Sequence, residues 1–172
     1  MSALLKIYME VCLLSKGPQD IPYSVYLLRL MLALYFITGV LSILPMVSFG
    51  QSLWVMCLDL LILMVFCWIG LQLFKKLSRF NQLLTAILGT GSFFNLLAWP
   101  LINYFEVAKA QDVIIPELGF IFLVQISWKL AVYAHIFRET FGVRLYVAFL
   151  LTLSYAIISI ISQQLIFPDL GA

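Results

Sequence analysis

The sequence predicts an all-α, polytopic membrane helical bundle: five transmembrane helices plus a short N-terminal amphipathic interfacial helix, in a single membrane domain over residues 1–172. Three observations predict it. Of 172 residues, 64% are hydrophobic and only 10% charged. A soluble domain carries about 25% charged residues, so polar material is too scarce here to cover a globular surface. The mean hydropathy of +1.09 agrees. The apolar runs are also continuous and long, whereas a β-barrel needs alternating strands of about ten residues between turns. Finally, short loops separate these runs into five lengths that each suffice to span a bilayer.

Residues 3–15, ALLKIYMEVCLLS, are too short to span. Leu4, Tyr8, Val11, Cys12 and Ser15 share one helical face, with Lys6 and Glu10 on another. That is the pattern of a helix lying in the interface, although the stripe is wide enough to pack on the bundle instead. Lys16-Gly17-Pro18 ends it. Met1 to Lys16 lacks a clean apolar core followed by a small-residue cleavage site, so no cleavable signal peptide is expected and the first span is retained.

Asp20-Ile21-Pro22 reads as a helix start, with Asp capping free amides and Pro suiting the first turn. The first span covers 23–45 and contains Arg29; Pro45 to Gly50 is a short loop. The second span, 52–74, contains Asp59 and is followed by Lys75-Lys76-Leu77-Ser78-Arg79, the strongest basic cluster in the chain. The third span, 80–104, holds Pro100, which can kink it or loosen its last turn. Glu106 to Glu117 is the longest polar stretch, with Glu106, Asp112 and Glu117 against Lys109. The fourth span, 118–137, carries Lys129 and His135. A turn from Arg138 to Arg144 follows, with Gly142 as terminator. The fifth span, 145–167, is closed by Pro168 and leaves 169–172 as a stub.

The third span is the expected packing hub. Thr85, Gly89, Ser92 and Asn95 recur at spacings of three and four and share one helical face. Small residues on one face let a neighbouring helix approach closely in lipid. A lipid-facing anchor needs none of Gly89, Gly91 and Asn95.

Lys and Arg set orientation through the positive-inside rule. From the N-terminal segment through the successive loops to the C-terminal stub, the counts run 2, 0, 3, 1, 2, 0. This alternation predicts an inner-membrane protein with a cytoplasmic N-terminus and a periplasmic or otherwise extracytoplasmic C-terminus.

Charge inside a span needs a partner or a route to water. At about 1.5 Å rise per residue, Arg29 lies roughly 10 Å above the cytoplasmic end of its helix, within reach of the headgroups by snorkelling or of a buried partner. Asp59, short and deeper, snorkels poorly. Asn95 comes to a similar depth, about 22 Å above the cytoplasmic side, so an Asp59–Asn95 hydrogen bond would join the second and third spans. Lys129 could reach toward Asp59. His135 lies near the cytoplasmic end, where a satisfied interfacial histidine is the default. The functional alternative is a proton or cation path through Asp59, Lys129 and His135.

No HExxH, GxSxG, phosphate-binding glycine loop or Cys/His metal spacing occurs, and Ser42, Ser48 and Ser92 have no base near them in sequence. Cys12, Cys57 and Cys67 lie in apolar runs and read as small buried hydrophobes. No catalytic residue, metal or cofactor is therefore expected. The basic residues are scattered, which gives no footprint for nucleic acid.

From Arg79 onward the chain resembles the Yip-domain family, five-span membrane proteins named for Rab-GTPase interaction in eukaryotes and widespread in bacteria. The likeness covers about residues 79–160. It rests on a polar entry to the third helix followed by small residues, RFNQLLTAILGTGS, and on a Pro closing that helix in LLAWPL. A third likeness is a Trp-bearing fourth helix ending in a basic-and-glycine turn, ISWKLAVYAHIFRETFGVRLYVAF. The resemblance implies a scaffold or adaptor with no catalytic residues. The leading expectation is accordingly a non-enzymatic scaffold that binds other integral membrane proteins, or itself, in the lipid bilayer. The alternative is a small transporter or ion/proton channel subunit using Asp59, Lys129 and His135.

Overall fold

The computed structural model describes residues 2–111 and 115–166. These form six α-helices and no strand: α1 (Ser2–Cys12), α2 (Val25–Ile43), α3 (Phe49–Leu73), α4 (Phe80–Ala110), α5 (Pro116–Phe141) and α6 (Leu145–Ile166). Helices α2 to α6 are each long and apolar enough to cross a membrane; the chain is a multi-pass membrane protein. Even α2, the shortest at 19 residues, rises about 28 Å, close to the ~30 Å hydrocarbon core.

Local hydrogen bonds move the ends of the spans from their expected places. Ser24, rather than Asp20, caps α2, accepting from the Leu27 amide at 3.3 Å. Asp20 closes a 3-10 turn over Pro18–Asp20, accepting from the Gly17 N–H at 2.9 Å. Helix α3 starts early because Ser48 and Gln51 form a capping box. Helix α4 continues through Pro100 to Ala110, so the polar stretch from Glu106 begins as helix. Proline removes one ladder bond, and in α4 that loss does not stop the helix. Helix α5 runs on to Phe141, where Gly142 takes a left-handed conformation (φ 62°) and donates to the Arg138 carbonyl at 2.8 Å. Asp112, Phe167, Pro168 and the 169–172 stub lie outside the described residues.

The first half of α4 is the centre of the bundle, with every residue from Leu83 to Ser92 buried. Helix α2 makes its most extensive packing, and α5 the next. Two glycines serve as notches for aromatic rings. A Cβ on Gly91 would come within 2.5 Å of the Tyr35 ring of α2 and 2.7 Å of the Tyr133 hydroxyl of α5. A Cβ on Gly89 would overlap the Tyr8 ring of α1. The small-residue face therefore receives side chains rather than the backbone of another span, and at Gly89 the visitor is α1. Thr85 and Ser92 turn their hydroxyls onto their own helix, donating to the Asn81 carbonyl at 2.6 Å and the Leu88 carbonyl at 2.7 Å.

Helix α1 is tucked against the bundle and is not merely an interfacial helix. Val11 and Cys12 are fully buried, and that burial pushes the Cys12 thiol up to about 11. Tyr8 donates to the Thr85 carbonyl at 3.3 Å. Trp128 Nε1 donates to the Cys12 carbonyl at 2.8 Å. Leu5 and Leu13 on the other side stay 71% and 62% exposed, so α1 keeps an apolar flank for lipid. Glu10 pairs with Lys16 at 2.8 Å beyond its end, and that hydrogen bond holds the Lys16 ammonium above its usual range.

The Gly89 notch makes a prediction. Gly89→Leu should lower melting in detergent by the equivalent of about 1–3 kcal/mol of overpacking and expose residues 2–16 to protease. The damage should be smaller in a Tyr8→Ala background, where the obstructing ring is gone. Leu96, 51% exposed, supplies the control, since Leu96→Ile conserves volume. A Gly89→Leu protein that melts like its parent would mean the notch carries no packing strain.

At the opposite end of α5 from its start, the basic cluster is structural. Lys76 Nζ donates to the Phe141 carbonyl at 2.8 Å. Arg79 Nη1 donates to the carbonyls of Glu139 and Thr140 at 3.3 and 3.2 Å. Cations suit these free carbonyls because the helix dipole leaves its C-terminus negative.

Candidate functional site

Helix α3 turns Asp59 inward, where it is 8% exposed. The Tyr35 hydroxyl of α2 donates to its Oδ2 at 2.7 Å. From α6, Ser159 Oγ donates to Oδ1 at 2.8 Å, with the Tyr155 hydroxyl a weaker 3.4 Å from the same oxygen. Gln163 Nε2, one turn on, donates to Ser159 Oγ at 3.1 Å. The carboxylate is thus held by hydroxyls from α2 and α6, and the expected Asp59–Asn95 bond does not form. Asn95 packs instead against Gly39, its Nδ2 3.3 Å from where a Cβ on that glycine would stand. Buried there, Nδ2 has no hydrogen-bond partner.

Asp59 and Asn95 both line a cleft of about 340 Å³. Every span contributes to it: Ser42 from α2, Met56 from α3, Ile102 from α4, Ile126 from α5 and Gln163 from α6. These positions lie toward the helix ends opposite the Lys75–Arg79 loop, so the cleft runs from Asp59 toward that end of the bundle. Lys129 lines the cleft as well, with Nζ 5.7 Å from the centroid of the Tyr133 ring, a cation–π distance. Among the described residues the ion pairs are Glu10–Lys16 and Arg138–Glu139; Lys129 and Asp59 share the cleft without closing a pair. Tyr133, 2% exposed, has a hydroxyl with no hydrogen-bond partner.

No family model, curated protein or solved structure matches this chain.

The other sequence-predicted residues sit elsewhere. The ring Nε2 of His135 lies 3.0 Å from the Lys16 carbonyl, tying α5 to the segment after α1. His135 is about 9 Å along α5 from Lys129, toward the Lys75–Arg79 end and outside the cleft. The three-residue path is therefore not assembled; Asp59 and Lys129 come together and His135 does not. Arg29 is on the exposed side of α2. Thr85, Gly89 and Ser92 are packing residues, while Asn95 belongs to the cleft. Among the described residues no group of three or more His, Cys, Asp or Glu side chains could hold a metal ion.

Tyr35, Tyr133, Tyr155 and Ser159 were not singled out from sequence. A usable signal existed for two of them. Tyr155 and Ser159 stand four apart in an otherwise apolar span, and polar groups at that spacing share a face that lipid would reject.

Proposed function

We propose that this multi-pass protein binds a small polar solute in the Asp59–Lys129 cleft and carries it across the membrane, without enzymatic chemistry. The observation that carries the reading is the convergence of polar side chains from all five spans on one cleft, with two buried polar groups there left unpaired. A buried polar group without a partner costs about 1–3 kcal/mol, and a charge within a span is costly too. A bundle that served only to hold partners has no use for either. Asp59 and Lys129 are its working charges; His135 anchors the N-terminal segment. In this reading, which the 2, 0, 3, 1, 2, 0 charge pattern supports, the N-terminus and the Lys75–Arg79 loop face the cytoplasm across an inner membrane and the cleft opens to the extracytoplasmic side.

The scaffold reading keeps one observation of its own. Helices α5 and α6 bury the least of their length, and Phe120, Leu123, Leu150 and Leu165 lie exposed along them. This surface falls mostly within the stretch that resembles the Yip-domain family, and another integral membrane protein or a second copy could cover it.

Thiol labelling separates the two readings. With Cys12, Cys57 and Cys67 replaced by alanine, a membrane-impermeant thiol reagent added outside sealed cells should modify Ser42→Cys and Gln163→Cys quickly. Leu63→Cys, in the fully buried core, should stay unmodified. Silence at Ser42→Cys and Gln163→Cys from both sides would reject a solute cleft. Reaction from the cytoplasmic side alone would reverse the orientation.

A further inference from the structure

Resting on the solute-binding reading above, we infer that the solute is a small monocarboxylate with a compact apolar body, held by Lys129, Asn95 and Tyr133 and bound together with one proton on Asp59. The first support is the sign of the cleft's free hydrogen-bonding capacity. The Asp59 carboxylate is already occupied by Tyr35 and Ser159, with Tyr155 close by. The fully buried groups there without a partner are Asn95 Nδ2 and the Tyr133 hydroxyl, and Lys129 Nζ stands over the Tyr133 ring outside any ion pair among the described residues. An ammonium and an amide nitrogen are donors without acceptor capacity, and a phenol donates readily. Such a set fits a ligand rich in acceptors. A carboxylate offers two oxygens with about four lone-pair sites, whereas an ammonium or guanidinium ligand brings only donors and would leave Lys129 Nζ and Asn95 Nδ2 unmatched.

Size and lining narrow the class. At about 340 Å³ the cleft is at the low end of ligand sites, which run from about 300 to 1,000 Å³. Ile43, Met56, Ala98, Ile102, Leu130 and Ile160 supply apolar walls, which suit a short hydrocarbon body. A second carboxylate on the ligand would find no further cation among the residues lining the cleft.

Charge balance supplies the proton. The charges of Asp59 and Lys129 sum to zero. A bound carboxylate adds one negative charge inside the membrane, which is costly. One proton from water onto an Asp59 oxygen restores neutrality; the ligand enters as RCOO⁻, the proton as H⁺, and no other bond changes. The other ionisable groups facing Asp59 are Tyr35 of α2, Lys129 and Tyr133 of α5, and Tyr155 of α6, while α4 contributes the non-titrating Asn95. The neutral phenols and the Lys129 ammonium already carry their protons, so the Asp59 carboxylate is the group with an oxygen able to take one.

The test uses the full chain carrying Ser42→Cys as its only cysteine, in proteoliposomes, and reads the rate of modification by an impermeant thiol reagent. Butyrate should slow that rate severalfold at saturation, while butylamine and butyramide, matched in shape, should not. The butyrate concentration needed should fall about tenfold for each unit drop in pH, as linkage to one proton requires. Lys129→Gln should label normally and lose protection; Lys129→Arg should keep part of it. Asp59→Asn should keep protection and lose its pH dependence. Protection by butylamine in place of butyrate, protection by valine alone, or full protection in Lys129→Gln would overturn the ligand class. Butyrate protection indifferent to pH in the parent would overturn the proton. If Ser42→Cys resists the reagent without any ligand, the cleft is sealed and the solute reading itself falls.

Discussion

Asp59→Ala is expected to destabilise the bundle by about 2–6 kcal/mol, because two buried donors lose their acceptor at once and each such loss costs about 1–3 kcal/mol. Those donors are the Tyr35 hydroxyl of α2 and Ser159 Oγ of α6. The lower end applies if the hydroxyls rotate to reach water in the cleft. Lys129 loses the charge that balances it as well. Asp59→Asn should cost less, since its amide oxygen still accepts from one of the two. Thermal denaturation in mild detergent reads the difference, with Asp59→Ala melting below Asp59→Asn and both below the parent. An Asp59→Ala protein as stable as its parent would show that the three-helix junction is held by packing alone.

Gly91→Leu is the second large effect. Its side chain would have to occupy space already filled by the Tyr35 ring and the Tyr133 hydroxyl. Overpacking of this kind costs about 1–3 kcal/mol. A further loss follows when Tyr35, pushed outward, leaves Asp59. Gly91→Leu should therefore be worse than Gly89→Leu, whose obstructing ring belongs to the short α1. It should also alter the cleft, so labelling of Ser42→Cys should change rate in the Gly91→Leu background and not in the Gly89→Leu background. Equal melting of the two glycine variants would contradict this ranking of the notches.

The five spans were legible because bilayer thickness imposes a length that composition alone reveals. Their ends were less so. Asp20 and Ser24 are both competent caps, and the choice between them depended on a 3-10 turn that only tertiary packing of Pro18 and Ile21 makes worthwhile. The depth of Asp59 could be counted along a helix, but its direction could not. Rise per residue says nothing of how α3 is rotated about its axis. In the rotation adopted, Met56 seats against Gly39 and Asp59 meets hydroxyls of α2 and α6, while Asn95 lines the same cleft without bonding to it. The apolar face of α1, Leu4 to Cys12, was readable from its period. Its docking was not, because the notch that receives Tyr8 lies 81 positions away in sequence, at Gly89.

The clasp between the α3–α4 loop and the end of α5 changes how that surface looks from outside. Sequence counts three cations there, but two of them, Lys76 and Arg79, already face the carbonyls of Glu139, Thr140 and Phe141. A lipid phosphate or an acidic partner approaching this loop meets Lys75, exposed at its corner, with Arg144 exposed just beyond the end of α5. To recruit Lys76 and Arg79 it must compete with the backbone they hold, and the last turn of α5 would then loosen as the surface becomes more adhesive.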